Sequence, residues 1–274
     1  MLSLGSAHRC AVWGSPIRHS LSPVLHRAAY RALGLTDWTY ERREVDVAGF
    51  GAALAVLGPQ WCGLSLTQPL KEAALAAARS VSATAAETGA VNTLVREADG
   101  WAGHNTDVHG IVTALAEVGC HRPRSAIVVG SGATARSAVR ALEVRGASSV
   151  TLMVRSGPRP ETLDQARRAG LAVEVIGMGE WVAADVVIST VPPASLPVVG
   201  LPPAATPEAA VLDVVYGQGR TPLQDAAAEG GWAIAEGTSM LLHQAARQVR
   251  LMTGVEAPVE AMREALATAL AESP

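Results

Sequence analysis

The chain has 274 residues, of which 49% are hydrophobic and 17% charged, and its formal net charge is −3. This length accommodates two ordinary domains, and the composition is that of a folded α/β protein rather than a disordered one. The weak negative charge and scattered arginines argue against a nucleic-acid partner, and no apolar run approaches the roughly 20 residues that cross a bilayer.

The amino terminus and the cysteines indicate the compartment. Residues 1–10 lack the basic and apolar regions of a secretory signal. Cys10, Cys62 and Cys120 are far apart, odd in number and surrounded by apolar residues. We therefore expect reduced, mostly buried thiols in a cytoplasmic protein with neither a metal site nor a membrane partner.

Strand-like and helical patterns alternate along the first half of the chain. Strands are predicted at 10–14, 38–45, 61–66 and 91–96, the last ending in a turn at 98–100. Helices are predicted at 23–33, 47–57 and 107–118, with a further helix that ends at Ala78. Pro69 is expected in the first turn of this last helix, where its missing N–H group leaves no bond unmade.

A second unit begins near Pro123. Continuous apolar runs predict strands at 125–129, 150–154, 172–176, 186–189 and 211–215, and helices are predicted at 133–146, 161–169, 240–252 and 259–270. Apolar strands that alternate with helices are typical of parallel sheets covered on both faces. Ligands of such sheets bind beyond the carboxyl ends of the strands, so the turns that follow strands are expected to carry the chemistry.

The turn after the 125–129 strand has the form of a dinucleotide-binding turn. A first glycine makes the bend, a second lets the backbone approach a pyrophosphate, and the N-terminus of the following helix attracts the anion. The third glycine of the usual fingerprint is absent. The strand before and the helix after favour a dinucleotide site over an ordinary turn. The expected contacts are Gly130, Ser131, Gly132, Ala133 and Thr134.

The residues after the second strand of this unit favour NADP over NAD. Val154, Arg155 and Ser156 supply a guanidinium and a hydroxyl with no acidic side chain beside them. An acid would accept a hydrogen bond from a ribose 2′-hydroxyl, whereas a guanidinium makes a charge-assisted contact with a 2′-phosphate. The alternative interpretation of Arg155 is a solvated surface arginine.

Lys71 is the single lysine among 22 basic residues. Arginine keeps its proton in ordinary protein chemistry, whereas a lysine can be tuned toward neutrality. A chain that otherwise uses only arginine therefore makes this position a candidate for proton transfer. Chance survival of one lysine in an arginine-rich composition is the alternative.

Six short motifs occur in the order found in the shikimate dehydrogenase family, which this sequence resembles over nearly its whole length. They read GSPIRHSLSP at 14–23, LSLTQPLKE at 64–72, GAVNTL at 89–94, NTDVHG at 105–110, DVVY with TPL at 213–223, and GTSMLLHQA at 237–245. One such motif can arise by chance, whereas six in sequence are a specific signal.

The resemblance implies an α/β fold with an N-terminal open α/β substrate domain, a Rossmann-type NADP-binding domain, and the active site in the cleft between them. The substrate domain is expected at 1–106 plus 240–274, and the NADP-binding domain at 107–239. The implied reaction is the reversible conversion of 3-dehydroshikimate and NADPH to shikimate and NADP⁺, a step toward chorismate and the aromatic amino acids. The implied partner is a small-molecule substrate, and the protein is expected as a monomer or homodimer.

The resemblance also implies roles for individual residues. The family pairs a lysine with an aspartate for proton transfer, and these fall on Lys71 and Asp107. Residues implied near the substrate, for its carboxylate or its hydroxyls, are Ser20, Ser22, Thr67, Asn92, Asp107, Tyr216 and Gln244. Gly237 and Met240 are implied beside the nicotinamide, and Val214 is implied as a further cofactor contact. Taken alone, Asp107 is equally typical of a helix N-cap and Met240 of a hydrophobic core.

The chain also departs from the family pattern, and two other functions remain open. Ser65 and Val154 stand where the family commonly has asparagine, and the pair His26-Arg27 follows Leu25 where the family often has an asparagine. A quinate/shikimate dehydrogenase, which more often uses NAD, is one alternative, and Arg155 counts against it. A non-catalytic sensor of metabolite or nucleotide is the other, and the presence of both proton-transfer residues counts against that.

Overall fold

The structure is a computed structural model that describes residues 8–217 and 219–272. The chain divides into two compact units, Met1–Thr106 with Leu242–Pro274, and Asp107–Leu241. Each unit is built around a six-stranded sheet.

The first unit begins with alternating strands and helices. They are β1 (His8–Gly14), α1 (Ser22–Ala32), β2 (Trp38–Glu44), α2 (Val47–Ala55), β3 (Trp61–Leu66), α3 (Lys71–Ala77), β4 (Ser80–Val81), α4 (Ala83–Thr88), β5 (Thr93–Glu97) and β6 (Gly100–His104). The strand order is β2-β1-β3-β5-β6-β4. Strands β1, β2 and β3 are parallel, whereas β5 is antiparallel to both β3 and β6.

This first sheet is therefore mixed, and the sequence pattern of this half of the chain indicated no strand direction. The physical reason is the tight turn at 98–99, which joins β5 to β6 as a hairpin, and a hairpin reverses the strand direction. The core beside the sheet contains Trp13, Leu64, Leu70 and Leu94, all fully buried.

The prediction for Pro69 is wrong. Helix α3 begins at Lys71 with Leu70 as its N-cap, and the Gln68–Pro69 peptide bond is cis. The Leu70 N–H donates to the Thr67 carbonyl at 2.8 Å, so Pro69 lies inside a turn that precedes the helix.

The second unit contains the remaining strands. Its elements are α5 (Asp107–Glu117), β7 (Ser125–Val129), α6 (Ala133–Val144), β8 (Ser149–Val154), α7 (Pro160–Arg168), β9 (Ala172–Gly177), β10 (Val186–Ser189), β11 (Ala210–Asp213), α8 (Pro222–Glu229) and β12 (Ala233–Ala235). All neighbouring strands are parallel, in the order β12-β11-β10-β7-β8-β9. Numbered within the unit, this is the 3-2-1-4-5-6 order of dinucleotide-binding sheets.

Alternate residues of these strands are buried on opposite faces of the sheet. Val128 and Leu152 belong to one hydrophobic cluster, while Ile127, Val129 and Met153 belong to another. Burial on both faces explains why the strands read as continuous apolar runs in the sequence. The prediction of a parallel sheet covered on both faces is confirmed for this unit.

Two helices complete the chain, α9 (Gly237–Thr253) and α10 (Val259–Ala271). The boundary between the units falls within α9, between Leu241 and Leu242. Among the described residues, none of the helices has both the length and the apolar character needed to cross a membrane.

Candidate functional site

In the first unit, the loops that follow β1 and β3 meet at one edge of the sheet. Trp13 pairs with Leu66 at the ends of these parallel strands, and the Thr67 N–H donates to the Trp13 carbonyl at 3.0 Å. A Cβ atom at Gly14 would lie 2.4 Å from the Thr67 Cγ2 atom. Only glycine allows this close approach, which brings the segment that leads from β1 to Ser20 and Ser22 against the segment that leads from β3 to Lys71.

The predicted substrate serines are both buried. The Ser22 N–H donates to the Ser20 hydroxyl at 3.3 Å, and the Ser20 carbonyl accepts from Arg42 Nε at 3.0 Å. The Ser20 hydroxyl therefore stabilises the turn before Pro23, as its position in the sequence suggests. Ser20 is 5% exposed, so this hydroxyl is buried.

Lys71 and Asn92 come from neighbouring segments of the same sheet edge. Lys71 is the first residue of α3, and its carbonyl accepts from the Val91 N–H at 2.9 Å. Asn92 is 2% exposed and immediately precedes β5. The backbone of the single lysine is thus hydrogen-bonded to the residue that directly precedes Asn92.

Asn92, Thr106 and Gln244 are in direct side-chain contact. The Thr106 N–H donates to Asn92 Oδ1 at 2.8 Å, and Asn92 Nδ2 donates to Thr106 Oγ1 at 2.9 Å. Gln244 Oε1 lies 3.5 Å from Asn92 Nδ2 and 3.4 Å from Thr106 Oγ1. The structure thus brings together two predicted substrate residues, and Thr106, which was not predicted, joins them.

Asp107 is the first residue of the second unit. It occupies the first turn of α5, directly after Thr106, and is buried. A carboxylate is favoured there by the partial positive charge of the helix N-terminus. Its pairing with Lys71 stays a prediction.

In the second unit, Gly130 and Gly132 differ in backbone conformation and in the space around them. Gly130 has a φ of 102°, and a Cβ there would lie 2.6 Å from Thr190 Oγ1, whose hydroxyl donates to the Val129 carbonyl at 2.7 Å. Gly132 has a φ of −87°, and nothing lies within 4 Å of the Cβ that it lacks. Gly130 is therefore required by the fold, whereas Gly132 leaves open space above the turn.

The N-terminus of α6 is available to an anion. Gly132 is its N-cap, and no side chain caps it, while Ala133 and Thr134 form its first turn. Ala135, at the third position of the fingerprint, is fully buried in the core, so a small residue there performs the close helix packing usually given to glycine.

The loop after β8 is attached to this turn. Val154 is buried, whereas Arg155 and Ser156 are exposed. The Arg159 N–H donates to Ser131 Oγ at 3.1 Å, and Thr162 Oγ1 donates to the Ser131 carbonyl at 2.7 Å.

Two residues of this region were missed by sequence reasoning. Arg159, four residues after Arg155, adds a second exposed guanidinium to the loop, and Thr190 lies where β7 and β10 separate, at the reversal of strand order. The signals that could have found them are the repeated arginine and the polar residue directly after a buried strand.

The segment after β11 is held by a buried carboxylate. Asp213 accepts from Thr221 Oγ1 at 2.8 Å and from the Val215 N–H at 3.2 Å, and burial raises the pKa of Asp213. Val214 and Tyr216 follow it and are both half-buried. A Cβ at Gly237 would lie 2.6 Å from the Val215 carbonyl oxygen, so the start of α9 requires glycine.

Met240 is 7% exposed and belongs to the hydrophobic core of the second unit. Within residues 8–217 and 219–272, no three His, Cys, Asp or Glu side chains are grouped so as to hold a metal ion. The three cysteines are free, and two of them are buried, as the sequence predicted.

Two family models match the chain. A model of the shikimate dehydrogenase substrate binding domain matches residues 12–94, and a model of the shikimate 5′-dehydrogenase C-terminal domain matches residues 237–267. These matches include four of the six motifs, the first three and the last.

Similar proteins extend the match to nearly the whole chain. A shikimate dehydrogenase (NADP(+)) of Methanothermobacter thermautotrophicus is 34% identical over 96% of each chain, and one of Citrifermentans bemidjiense is 37% identical over 98% of each. The crystal structure of Mycobacterium tuberculosis shikimate dehydrogenase has a TM-score of 0.83 at 40% identity, over 96% of this chain and 99% of that one.

A shikimate 5-dehydrogenase of Thermus thermophilus, solved in complex with NADP(H) and shikimate, has a TM-score of 0.81 at 30% identity. It covers 96% of this chain and 99% of its own. The resemblance carried by the six motifs is confirmed, and the chain belongs to the shikimate dehydrogenase family.

Proposed function

We propose that this protein is an NADP-dependent shikimate dehydrogenase, which reduces 3-dehydroshikimate reversibly to shikimate. The observation that carries the proposal is the contact of the Asn92 and Gln244 carboxamides with Thr106 at the sheet edge that also bears Lys71. A polyhydroxylated ring needs such neutral groups, because each amide both donates and accepts. The relatives named shikimate dehydrogenase (NADP(+)) support the same reaction.

The substrate-binding domain that we propose, 1–106 plus 240–274, contains the first unit, and the proposed NADP-binding domain, 107–239, lies within the second unit. The second unit fits a dinucleotide because Gly132 leaves open space beside the uncapped N-terminus of α6. Arg155 and Arg159 lie in a loop without acidic residues, which fits a 2′-phosphate better than a 2′-hydroxyl. The residues that would hold the dinucleotide are Gly130, Ser131, Gly132, Ala133, Thr134, Val154, Arg155, Ser156, Val214, Gly237 and Met240.

NADPH, when bound, supplies the hydride for the ketone carbon. Lys71 donates a proton to the oxygen of that ketone during reduction and removes it during oxidation, and Asp107 orients the amine. Asn92, Gln244 and Thr67 bind the ring hydroxyls and so hold the reacting carbon in place. Ser20, Ser22 and Tyr216 donate hydrogen bonds to the substrate carboxylate.

We also propose a cellular compartment and an oligomeric state for the enzyme. Cys10, Cys62 and Cys120 are free thiols, which fits a reducing compartment, and we infer the cytoplasm. The enzyme acts on a small molecule as a monomer or homodimer.

The decisive experiment assays the purified protein in four combinations, shikimate or quinate with NADP⁺ or NAD⁺, and in the reverse direction with 3-dehydroshikimate and NADPH. The proposal expects the highest kcat/KM for shikimate with NADP⁺. A preference for quinate with NAD⁺ would support the broader dehydrogenase instead. No turnover in either direction at any pH would refute the enzyme and leave a metabolite sensor.

A further inference from the structure

A continuous series of buried hydrogen bonds runs through the first unit to Asn92. The Tyr40 hydroxyl donates to Ser65 Oγ at 2.6 Å, and Ser65 donates to Gln248 Oε1 at 2.7 Å. Gln248 Nε2 donates to Thr93 Oγ1 at 3.0 Å, and Thr93 donates to Asn92 Oδ1 at 2.8 Å.

Gln248 lies at the centre of this series, and both atoms of its carboxamide have two polar partners. Its Oε1 accepts from Ser65 and lies 3.3 Å from Nε2 of His26, while its Nε2 donates to Thr93 Oγ1 and, at 3.3 Å, to the Asn92 carbonyl. Gln248 is 1% exposed, so no water substitutes for these partners without entering the core.

Only one assignment of donors and acceptors is possible in this series of hydrogen bonds. The Thr106 backbone N–H is a donor, so the group that faces it must be Oδ1 of Asn92 and not Nδ2. Because Oδ1 is an acceptor, the Thr93 hydroxyl must donate to it and must accept from Gln248 Nε2. The Oε1 of Gln248 then faces Ser65 and His26. Because Oε1 is an acceptor, His26 donates to it from Nε2–H.

We propose that Gln248 is a positioning residue for the reaction, which through Thr93 sets the orientation of the Asn92 carboxamide toward Gln244 and the substrate. The inference rests on the proposed function, because Asn92 and Gln244 are there assigned to the substrate hydroxyls. Gln248 lies four residues after Gln244 on α9, so one helix presents both the proposed substrate ligand and the residue that aligns its neighbour.

The network includes one departure from the family pattern. Ser65 stands where asparagine is common, and it contacts Gln248 Oε1, as His26 does. His26 stacks on Tyr40 with ring centroids 3.9 Å apart, which holds its Nε2 toward the glutamine. In this chain the carboxamide that contacts Thr93 and the Asn92 carbonyl is that of Gln248 on α9.

The test uses a matched pair of substitutions at Thr93. Thr93→Val keeps the shape but removes the hydroxyl, whereas Thr93→Ser keeps the hydroxyl. We expect Thr93→Val and Gln248→Met each to raise KM for 3-dehydroshikimate about 10-fold, the effect of roughly one hydrogen bond. KM for NADPH should not change, and Thr93→Ser should retain the wild-type KM. Equal effects of valine and serine at this position would overturn the proposal.

A double-mutant cycle distinguishes positioning from loss of stability. If Gln248 acts through Asn92, Gln248→Met should not raise KM further in an Asn92→Ala background. Additive effects would refute the inference. Leu266→Ala truncates a buried side chain of α10, and it should lower the free energy of unfolding without changing KM.

A readout independent of turnover separates this inference from the proposed function. In isotope-labelled protein, the side-chain amide signals of Asn92, assigned by their loss in Asn92→Ala, should move in Thr93→Val and stay in Thr93→Ser. If the Asn92 signals move in Thr93→Val but the wild-type protein shows no turnover, the proposed function is refuted and the network is supported. Unmoved signals in Thr93→Val would refute the network whatever the activity.

Discussion

The two glycines of the dinucleotide turn make opposite predictions for alanine substitution. Gly132→Ala should leave folding intact and weaken NADPH binding, because the added methyl group enters the open space beside the N-terminus of α6. Gly130→Ala should instead destabilise the fold, because its methyl group would collide with Thr190 Oγ1 at 2.6 Å.

The magnitudes follow from the local geometry. At Gly132 the φ of −87° suits alanine. Reduced chain entropy in the unfolded state would then stabilise by about 0.4–1 kcal/mol, while the poorer N-cap costs a similar amount, so the free energy of unfolding should hardly change. Losing one hydrogen bond to a charged phosphate costs about 1.5–3 kcal/mol, which is about a 10- to 150-fold increase in KM for NADPH. At Gly130 the φ of 102° alone costs alanine about 1–3 kcal/mol.

The assay combines denaturant unfolding with steady-state kinetics. For Gly132→Ala we expect the wild-type unfolding midpoint, the wild-type KM for 3-dehydroshikimate, and a higher KM for NADPH. For Gly130→Ala the unfolding midpoint itself should fall. A Gly132→Ala protein that binds NADPH normally would mean that the pyrophosphate does not approach this turn.

Three further substitutions test the remaining chemistry. Lys71→Arg keeps the charge but not the transferable proton, so kcat should fall by about 10²-fold or more while KM for NADPH is retained; near-normal kcat would exclude proton transfer by Lys71. Arg155→Asp should reduce the preference for NADPH over NADH, measured as the ratio of kcat/KM values, and an unchanged ratio would leave the 2′-phosphate to Arg159 alone. Burial lowers the pKa of His26 from 6.5 to about 3. As the pH falls, the unfolded chain binds a proton at His26 near pH 6.5, whereas the folded chain binds it only near pH 3. The free energy of unfolding therefore falls by about 1.4 kcal/mol per pH unit between these two values. His26→Phe keeps an aromatic ring against Tyr40, and its unfolding free energy should fall less steeply in acid; identical slopes would show that His26 is protonated in the folded state.

The elements that the sequence predicted well are those whose pattern reflects complete burial. The predicted bounds of β7 and β10, 125–129 and 186–189, agree with the structure, because both faces of these strands are covered. The turn at Gly130 between β7 and α6 was predicted equally well, since a φ of 102° is a local backbone conformation that favours glycine.

Short elements were missed because caps and tertiary contacts stabilise them. Helix α4 has six residues, too few for a helical period, and depends on the Ser82 side chain at its start and Gly89, with a φ of 60°, at its end. Helix α8 likewise begins with a capping box between Thr221 and Gln224. The antiparallel pairing of β5 was missed because alternation alone does not specify strand direction.

Side-chain networks are the least visible feature in a single sequence. Gln248 reads as an unremarkable polar residue on an amphipathic helix, yet its partner His26 is 222 positions away. Only the fold brings the two together, and the same holds for the contact of Asn92 with Gln244.

This buried network bears on selectivity as well as on orientation. Thr93 and Thr106 assign Oδ1 of Asn92 as an acceptor, so Nδ2 donates, at 2.9 Å to Thr106 Oγ1 and at 3.5 Å toward Gln244 Oε1. A ring hydroxyl of the proposed substrate can replace the long contact with Gln244, so an analogue without that hydroxyl forgoes one hydrogen bond, worth about 0.5–1.5 kcal/mol. Since the donor direction is set before binding, little ordering remains for the substrate complex. Selectivity for the hydroxyl pattern is therefore a property of the first-unit core, and substitutions such as Thr93→Val should relax it without touching the substrate.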